Sequence, residues 1–405
     1  MMTTSSPTRG EADADAPAEV ASGVVTRRRA DLIALSHEIH AEPELAFREH
    51  RSCAKTQALV AERGFAVTSG PGELDTAFRA DYGGGDLVVA VCAEYDALPG
   101  LGHACGHNMI AASAVGAALA LAEVAERLGL TVVLMGTPAE ESGGGKALLL
   151  EAGAFDDVAA AVMIHPGPVD IAAARSLALS EVAVDYRGRE SHAAVAPHQG
   201  VNAADAVTVA QVAIGLLRQQ LVPGQLVHGI VTDGGQASNV IPGRAAMQYT
   251  MRAGDRASLR ALEDRMADCF RAGAIATGCE YQINESAPAY DELRPDPWLS
   301  AVFRAEMVRC GRNPVSEDLE AALPLGSTDM GNITHVMAGI HPVVGIDSGG
   351  ASIHQPGFAA AAVGASADEA VIDGAIMLAR TVIQLAQTPA ERDRVLQARA
   401  DRAPR

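Results

Sequence analysis

Three apolar runs, each ending in side chains suited to metal binding or proton transfer, constrain this sequence more than any other feature. Residues 87–93 lead to Cys105 and His107, residues 131–135 lead through Gly136-Thr137-Pro138 to Glu140 and Glu141, and residues 159–164 end at His165. Short β-branched runs without polar alternation read as strands buried on both faces. Segments of helical character at 108–128 and 147–151 separate them, which predicts an α/β fold with a doubly wound, mostly parallel sheet. Ligands bind such sheets at the carboxyl ends of the strands, and all three runs deliver their polar residues there.

The remaining chain divides by pattern. An amphipathic helix is expected at 26–40, ended by Pro43, and a second at 51–63, stopped by Gly64. From 176 to 290 the strands alternate in polarity (179–186, 225–233, 245–252) around helical stretches at 202–220 and 256–277. This predicts an α+β domain inserted at 178–290 into a catalytic domain made of residues 29–177 and 291–387. In the second part of that domain a helix is expected at 296–310, a strand at 341–344 and a closing helix at 366–385. Residues 1–28, polar and acidic, are expected to form a disordered tail, and residues 388–405 a charged, solvated one.

Composition excludes several classes. A chain of 405 residues, 48% of them hydrophobic, supports two cores, and a formal net charge of -19 opposes binding to nucleic acid or anionic membranes. The partner expected is a small molecule. The longest uncharged apolar run, residues 109–122, is too short to cross a bilayer. Six cysteines without paired spacing make no disulfide framework, so a reducing, cytoplasmic location is expected. There is no G-x-S-x-G nucleophile elbow and no G-x-G-x-x-G after the first strand. Gly143-Gly144-Gly145-Lys146 lacks the spacing and the Ser or Thr of a phosphate loop and reads as a flexible turn.

Cys105 and His107 offer a thiolate and an imidazole two residues apart in a loop that glycines let bend. Glu141, His165 and a late histidine would complete a metal site. His354, in a Gly-rich loop after a strand, is preferred to His341, which stands at a strand's start. Sulfur, nitrogen and carboxylate donors together suit zinc first, with manganese or cobalt as substitutes. Two adjacent glutamates divide the work, so that Glu141 coordinates and Glu140 serves as general base toward water. His37 and His40, three residues apart on the first helix, are left out of the site.

The motifs AEYDALPGLGHACGHN, GTPAEESGGGKALLLEAGAFDD, VMIHPGP, SHAAVAPHQGVNAADA, HGIVTDGGQASNVIP, STDMGN and SIHQPGF occur in that order. Over residues 30–385 they resemble the dinuclear-metal aminoacylase/carboxypeptidase family of peptidases. The resemblance is to its amidohydrolase branch of p-aminobenzoyl-glutamate, hippurate and auxin-conjugate hydrolases and a β-alanyl-lysine type dipeptidase. It implies two divalent ions on Cys105, His107, Glu141, His165 and His354, with Cys105 bridging, Glu140 as base and Asp96 supporting the ligands from behind. It also implies that the inserted domain is a dimerisation lid. There His228 would polarise the scissile carbonyl in the partner subunit of a homodimer, and Asn239 and Arg252 would hold the substrate's carboxylate. His192 and His198 would be lid or hinge residues. Glu94-Tyr95 before Asp96, and Asn108 and Ile110 after His107, depart from the auxin-conjugate pattern and favour the aminobenzoyl-glutamate and dipeptidase side.

The expected function is amide hydrolysis of small N-acyl amino acids or dipeptides with a free carboxylate. The rival expectations are a non-catalytic zinc-stabilised binding protein and a peptidase acting on longer peptides.

Overall fold

The computed structural model describes residues 9–323 and 326–402. The chain divides into two compact units. One contains the residues up to Arg175, Leu293–Leu325 and the chain from Asp329 onward; the other contains Ser176–Glu292 with Gly326–Thr328.

In the first unit a six-stranded sheet runs Ala66–Ser69, Phe78–Gly83, Leu130–Gly136, Leu87–Ala93, Ala160–Val162, Ala338–Ile340. The last four are mutually parallel, and the first two add an antiparallel edge. This is the mostly parallel α/β sheet expected. Every residue of Leu87–Ala93 is buried, because both faces of the sheet are covered. Val89, Val91 and Ala93 face one apolar cluster; Val88, Ala90 and Cys92 face the other. Helix His107–Ala122 contains no Asp, Glu, Lys or Arg and lies against the first face, packed between Arg29–Ala41 and Ala365–Gln387. The approach is close at Gly116, where an added Cβ would sit 2.8 Å from both Ala375 Cβ and Leu32 Cδ1.

Two expectations about the ends of the chain are corrected. Residues 1–8 lie outside the described residues, but Arg9–Arg27 is helical rather than disordered. Ala18, Ala21, Val24 and Val25 recur at helical spacing and are buried, and Glu19 pairs with Arg380 on the closing helix at 3.1 Å. The stretch after 387 forms helix Pro389–Asp401. Its arginines reach backbone carbonyls of the sheet's far end: Arg392 those of Leu128 and Gly129, Arg399 that of Asp86 at 2.8 Å. Charge alone suggested solvation; guanidinium groups bonded to these backbone carbonyls instead tie the segment down. The expected helix at 108–128 is also broken, into His107–Ala122 and Ala125–Leu128.

The second unit is an antiparallel sheet ordered Glu280–Glu285, Ala178–Arg187, Arg244–Ala253, Leu226–Asp233, with helices Ala203–Leu217 and Arg256–Thr277 packed on it. Burial alternates residue by residue along Ala178–Arg187, the mark of a sheet with one covered face. Its core includes Val184, Tyr186, Met247, Tyr249, Met266 and Phe270. Leu226–Asp233 is an edge strand that exposes Leu226, Ile230 and Val231.

Candidate metal centre

Asp96, three residues past the central strand, organises two loops. Its Oδ1 accepts from His107 Nδ1 at 3.0 Å and its Oδ2 accepts from the Glu141 backbone N–H at 3.0 Å. With Nδ1 committed to a carboxylate, Nε2 is the ring nitrogen left for an ion, and it makes no hydrogen bond among the described residues. Glu140 Oε2 and Glu141 Oε1 each lie 3.9 Å from that nitrogen. His165 is fixed in the same manner, with Nδ1 donating to Pro166 O at 2.7 Å and Nε2 lying 3.5 Å from Cys105 Sγ. The late loop is pinned by the His354 backbone N–H to Ala104 O at 2.9 Å, and His354 Nε2 lies 3.3 Å from Glu141 Oε2. His354 has φ +65, a left-handed conformation that turns its half-exposed ring toward the Cys105 loop.

Donor atoms therefore converge in two sets sharing one sulfur: Cys105, His107 and His165, and Cys105, Glu141 and His354, each within 4.8 Å of one another. The spacing fits metal ions. On a tetrahedral zinc-like ion with bonds of about 2.0–2.3 Å, neighbouring donors stand roughly 3.3–3.6 Å apart; the Cys105–His165 and Glu141–His354 pairs, at 3.5 and 3.3 Å, fall in that range. Burial holds the His165 pKa at about 4, so its imidazole is neutral, as a ligand must be. Burial and the Glu141 charge hold the Cys105 thiol well above its usual range. Burial opposes charge on His107, but Asp96 and Cys105 raise its pKa well above normal. Loading these donors must therefore release protons. Burial, with Glu94, Glu141 and Asp329 nearby, pushes Glu140 well up, into the form of a carboxyl that can exchange a proton.

His341 is buried beside His165, with ring centroids 5.3 Å apart, but belongs to neither donor set. His37 bonds Asp368 and His40 bonds Ala359 O, both away from the cluster. His228, Asn239 and Arg252 lie in the second unit. His228 sits on the exposed edge strand opposite Thr250, Arg252 Nη1 donates to Ser327 Oγ at 2.7 Å, and the Asn239 carbonyl accepts from Ala193 N at 3.0 Å.

Sequence reasoning gave no role to several residues that the fold brings to the site. Lys146, assigned to a flexible turn, is wholly buried: its Nζ contacts Glu94 Oε1 at 2.5 Å and Asp329 Oδ1 at 2.7 Å, and its backbone N–H donates to Asp329 Oδ2 at 2.8 Å. Its rarity was the available signal, since Lys55 is the only other lysine. The turn is rigid for a steric reason as well, because a Cβ on Gly145 would fall 1.9 Å from Pro138 O. Gly145→Ala is expected to cost about 1–3 kcal/mol or more and to displace the Glu140–Glu141 loop, measured by urea denaturation and metal content. The family departure at Asn108 is a packing device: its Nδ2 donates to Ser36 Oγ and Ala362 O at 2.8 and 3.0 Å.

Glu49, which nothing in the sequence flagged, accepts from Ala139 N at 2.9 Å and so holds Ala139 at φ +59 immediately before Glu140. Burial and then the Asp96 charge raise its pKa from 4.5 to about 7. Because the folded value is the higher, full stability holds below pH 4.5 and is lost as pH rises through 7. The loss is at most about 3 kcal/mol. Glu49→Gln keeps the acceptor and removes the charge. The metal-free variant is expected to gain stability over the parent at pH 8 and to match it near pH 4 in urea melts.

Comparisons with known proteins give the chain's relatives and its fold. The family model described as peptidase family M20/M25/M40 matches residues 90–383. Xaa-Arg dipeptidase of Mus musculus is 42% identical over 324 residues, covering 76% of this chain and 75% of its own. One of the subunits of p-aminobenzoyl-glutamate hydrolase of Escherichia coli (strain K12) is 33% identical over 264 residues, covering 60% and 55%. Among solved structures, the aminobenzoyl-glutamate utilization protein from Klebsiella pneumoniae has the same fold, with a TM-score of 0.72 at 18% identity over 89% of this chain and 97% of that one. The chain thus belongs to peptidase family M20/M25/M40, and it is a hydrolase of amide bonds.

Proposed function

We propose that the protein hydrolyses the amide bond of small N-acyl amino acids or dipeptides with a free carboxylate, and that dipeptides ending in a basic residue are its preferred substrates. The observation that carries the reading is the pair of donor sets meeting at Cys105 with Glu140 beside them. The preference for a basic end rests on the likeness to Xaa-Arg dipeptidase and on the net charge of -19, which draws in cations.

Cys105, His107 and His165 would hold one divalent ion, and Cys105, Glu141 and His354 the second, zinc first by donor chemistry. When bound, such ions supply Lewis acidity that acidifies water and polarises a carbonyl. Glu140 takes the proton from the attacking water and returns it to the leaving amine. Asp96 keeps His107 in its ligand tautomer. Arg252 and Asn239 grip the substrate carboxylate, a guanidinium being able to bond both oxygens. His228, whose pKa is lowered by desolvation and by the Arg252 charge, donates to the scissile carbonyl oxygen from the second unit of a partner copy.

Homodimerisation is supported by the apolar edge strand Leu226–Asp233. A cytoplasmic location is supported by six free cysteines. No helix among the described residues is long and apolar enough to cross a membrane.

The test is a screen of dipeptides ending in Arg, Lys, Glu or Ala, N-acyl amino acids and p-aminobenzoyl-glutamate, with zinc, manganese and cobalt supplied separately. Turnover confined to long peptides, or absent with every metal, would reject the reading. Mixing inactive Glu140→Gln and His228→Ala proteins is expected to restore activity in hybrid dimers; none after verified subunit exchange would remove His228 from its role.

A further inference from the structure

The antiparallel sheet of the second unit carries a charge that no role above uses. Side chains alternate between its two faces, and the helices cover one of them. Along Arg244–Ala253 the half-buried Gln248, Thr250 and Arg252 stand on the face opposite the helices. Glu181, half-buried on the neighbouring strand Ala178–Arg187, lies directly opposite Thr250 and is therefore the diagonal neighbour of Arg252.

Glu181 is oriented without being neutralised. Its Oε1 accepts from Gln248 Nε2 at 2.6 Å and its Oε2 accepts from Thr250 Oγ1 at 3.3 Å. Both donors are uncharged, and a carboxylate has further lone pairs to offer. Arg252 likewise spends its hydrogen bond on a neutral partner, the Ser327 hydroxyl at 2.7 Å. The Glu181 charge is near enough to act on Arg252, yet among the described residues the two form no ion pair. A surface that keeps an anion and a cation apart, each held by neutral neighbours, suits a ligand with the opposite charges at matching ends.

The spacing selects the ligand. Diagonal neighbours on adjacent strands stand about 7–8 Å apart. The carboxylate carbon and the cationic end of an extended arginine or lysine stand roughly 7 Å apart, on a stem of single bonds of about 1.5 Å. With its carboxylate on Arg252, such a residue brings its cation to Glu181. Its aliphatic stem has apolar surface to lie on, because Leu179 and the exposed Leu226 flank Arg252 on either side.

We propose that Glu181 selects substrates by their C-terminal side chain, accepting from the guanidinium or ammonium of a dipeptide whose carboxylate Arg252 holds, with Gln248 and Thr250 as its positioning residues. The assignment rests on the reading of Arg252 as the carboxylate grip, and it adds one named group to the net charge as a source of the basic preference.

The holoenzyme and its variants, checked for folding by circular dichroism, are assayed on Ala-Arg, Ala-Lys and Ala-Met, the last matching the lysine stem without its charge. The parent is expected to favour the two basic dipeptides. Glu181→Gln keeps the size and removes the charge. It should lose about 10–100-fold in kcat/KM on Ala-Arg and Ala-Lys, mainly through KM, and stay within about threefold of the parent on Ala-Met. Glu181→Asp, which keeps the charge but shortens the reach, should show a smaller loss on the same two substrates, and it carries the test if the Gln variant does not fold. A loss shared equally by all three dipeptides would overturn the proposal and make Glu181 a structural partner of its neighbours or a grip on the free amino group. Parental kinetics throughout, or a parent without the basic preference, would overturn it too. Parental kcat/KM in Arg252→Ala on every dipeptide would instead reject the carboxylate reading on which the assignment stands.

Discussion

Glu140→Gln is expected to lower kcat by about 10³-fold, within the range that positioned general bases supply, while leaving metal content and KM close to those of the parent. The amide is nearly isosteric with the carboxyl but cannot accept and return a proton. The loop that carries it should not move, because its shape is set elsewhere. Glu49 holds the Ala139 N–H, the Ala139 carbonyl accepts from Gly143 and Gly144 N–H at 2.9 Å, and Asp96 holds the Glu141 N–H. The readouts are steady-state kinetics on the best substrate of the screen and metal content by atomic emission. A variant within about threefold of parental kcat, with metal bound, would take the proton-transfer role away from Glu140. Loss of metal together with activity would place the residue among the ligands instead.

Lys146→Met should destabilise the protein more than any of the other single changes proposed above, by about 3–5 kcal/mol. Methionine matches the volume of the lysine stem, so little packing is lost. What is lost is the ammonium that faces Glu94 and Asp329, two carboxylates that expose no side-chain surface. Leaving those charges buried and uncompensated costs far more than the net worth of the ion pair. Adding Glu94→Gln and Asp329→Asn to Lys146→Met should therefore recover part of the stability, although it removes more of the native contacts. Lys146→Arg should not substitute, because a planar guanidinium cannot occupy the small site between two oxygens that a compact ammonium fills. Urea denaturation of the four proteins decides the matter. A loss below about 1 kcal/mol for Lys146→Met would mean that the carboxylates are protonated or hydrated rather than paired.

Glu140 and Lys146 are neighbours that the chain order reveals to different degrees. Glu140 could be nominated from local context, since a Glu-Glu pair following an apolar strand and a Thr-Pro turn is out of place on an ordinary surface. Lys146 could not, because its partners lie 52 and 183 residues away. Read locally, Gly143-Gly144-Gly145-Lys146 is a run of small residues before a helix. Its rigidity comes from Pro138 O lying where a Cβ on Gly145 would be, which only folding creates. The two ends of the chain depart from the local pattern for a related reason. A polar, alanine-rich stretch has too little apolar surface to fold alone, yet Ala21, Val24 and Val25 become buried once Ala365–Gln387 offers a face.

Period and order along the chain were sufficient for the parallel sheet and the strand exits and for nominating five candidate donor residues, because strand burial and loop placement follow from local hydrophobic pattern. Tertiary structure alone decided which donor atoms lie within reach of one another, and that Glu94, Lys146, Asp329 and Glu49 crowd the same strand ends. Those relations depend on distances of a few ångströms between residues far apart in sequence, and on the burial that makes an unpaired charge costly. Neither quantity exists until the chain has closed around it.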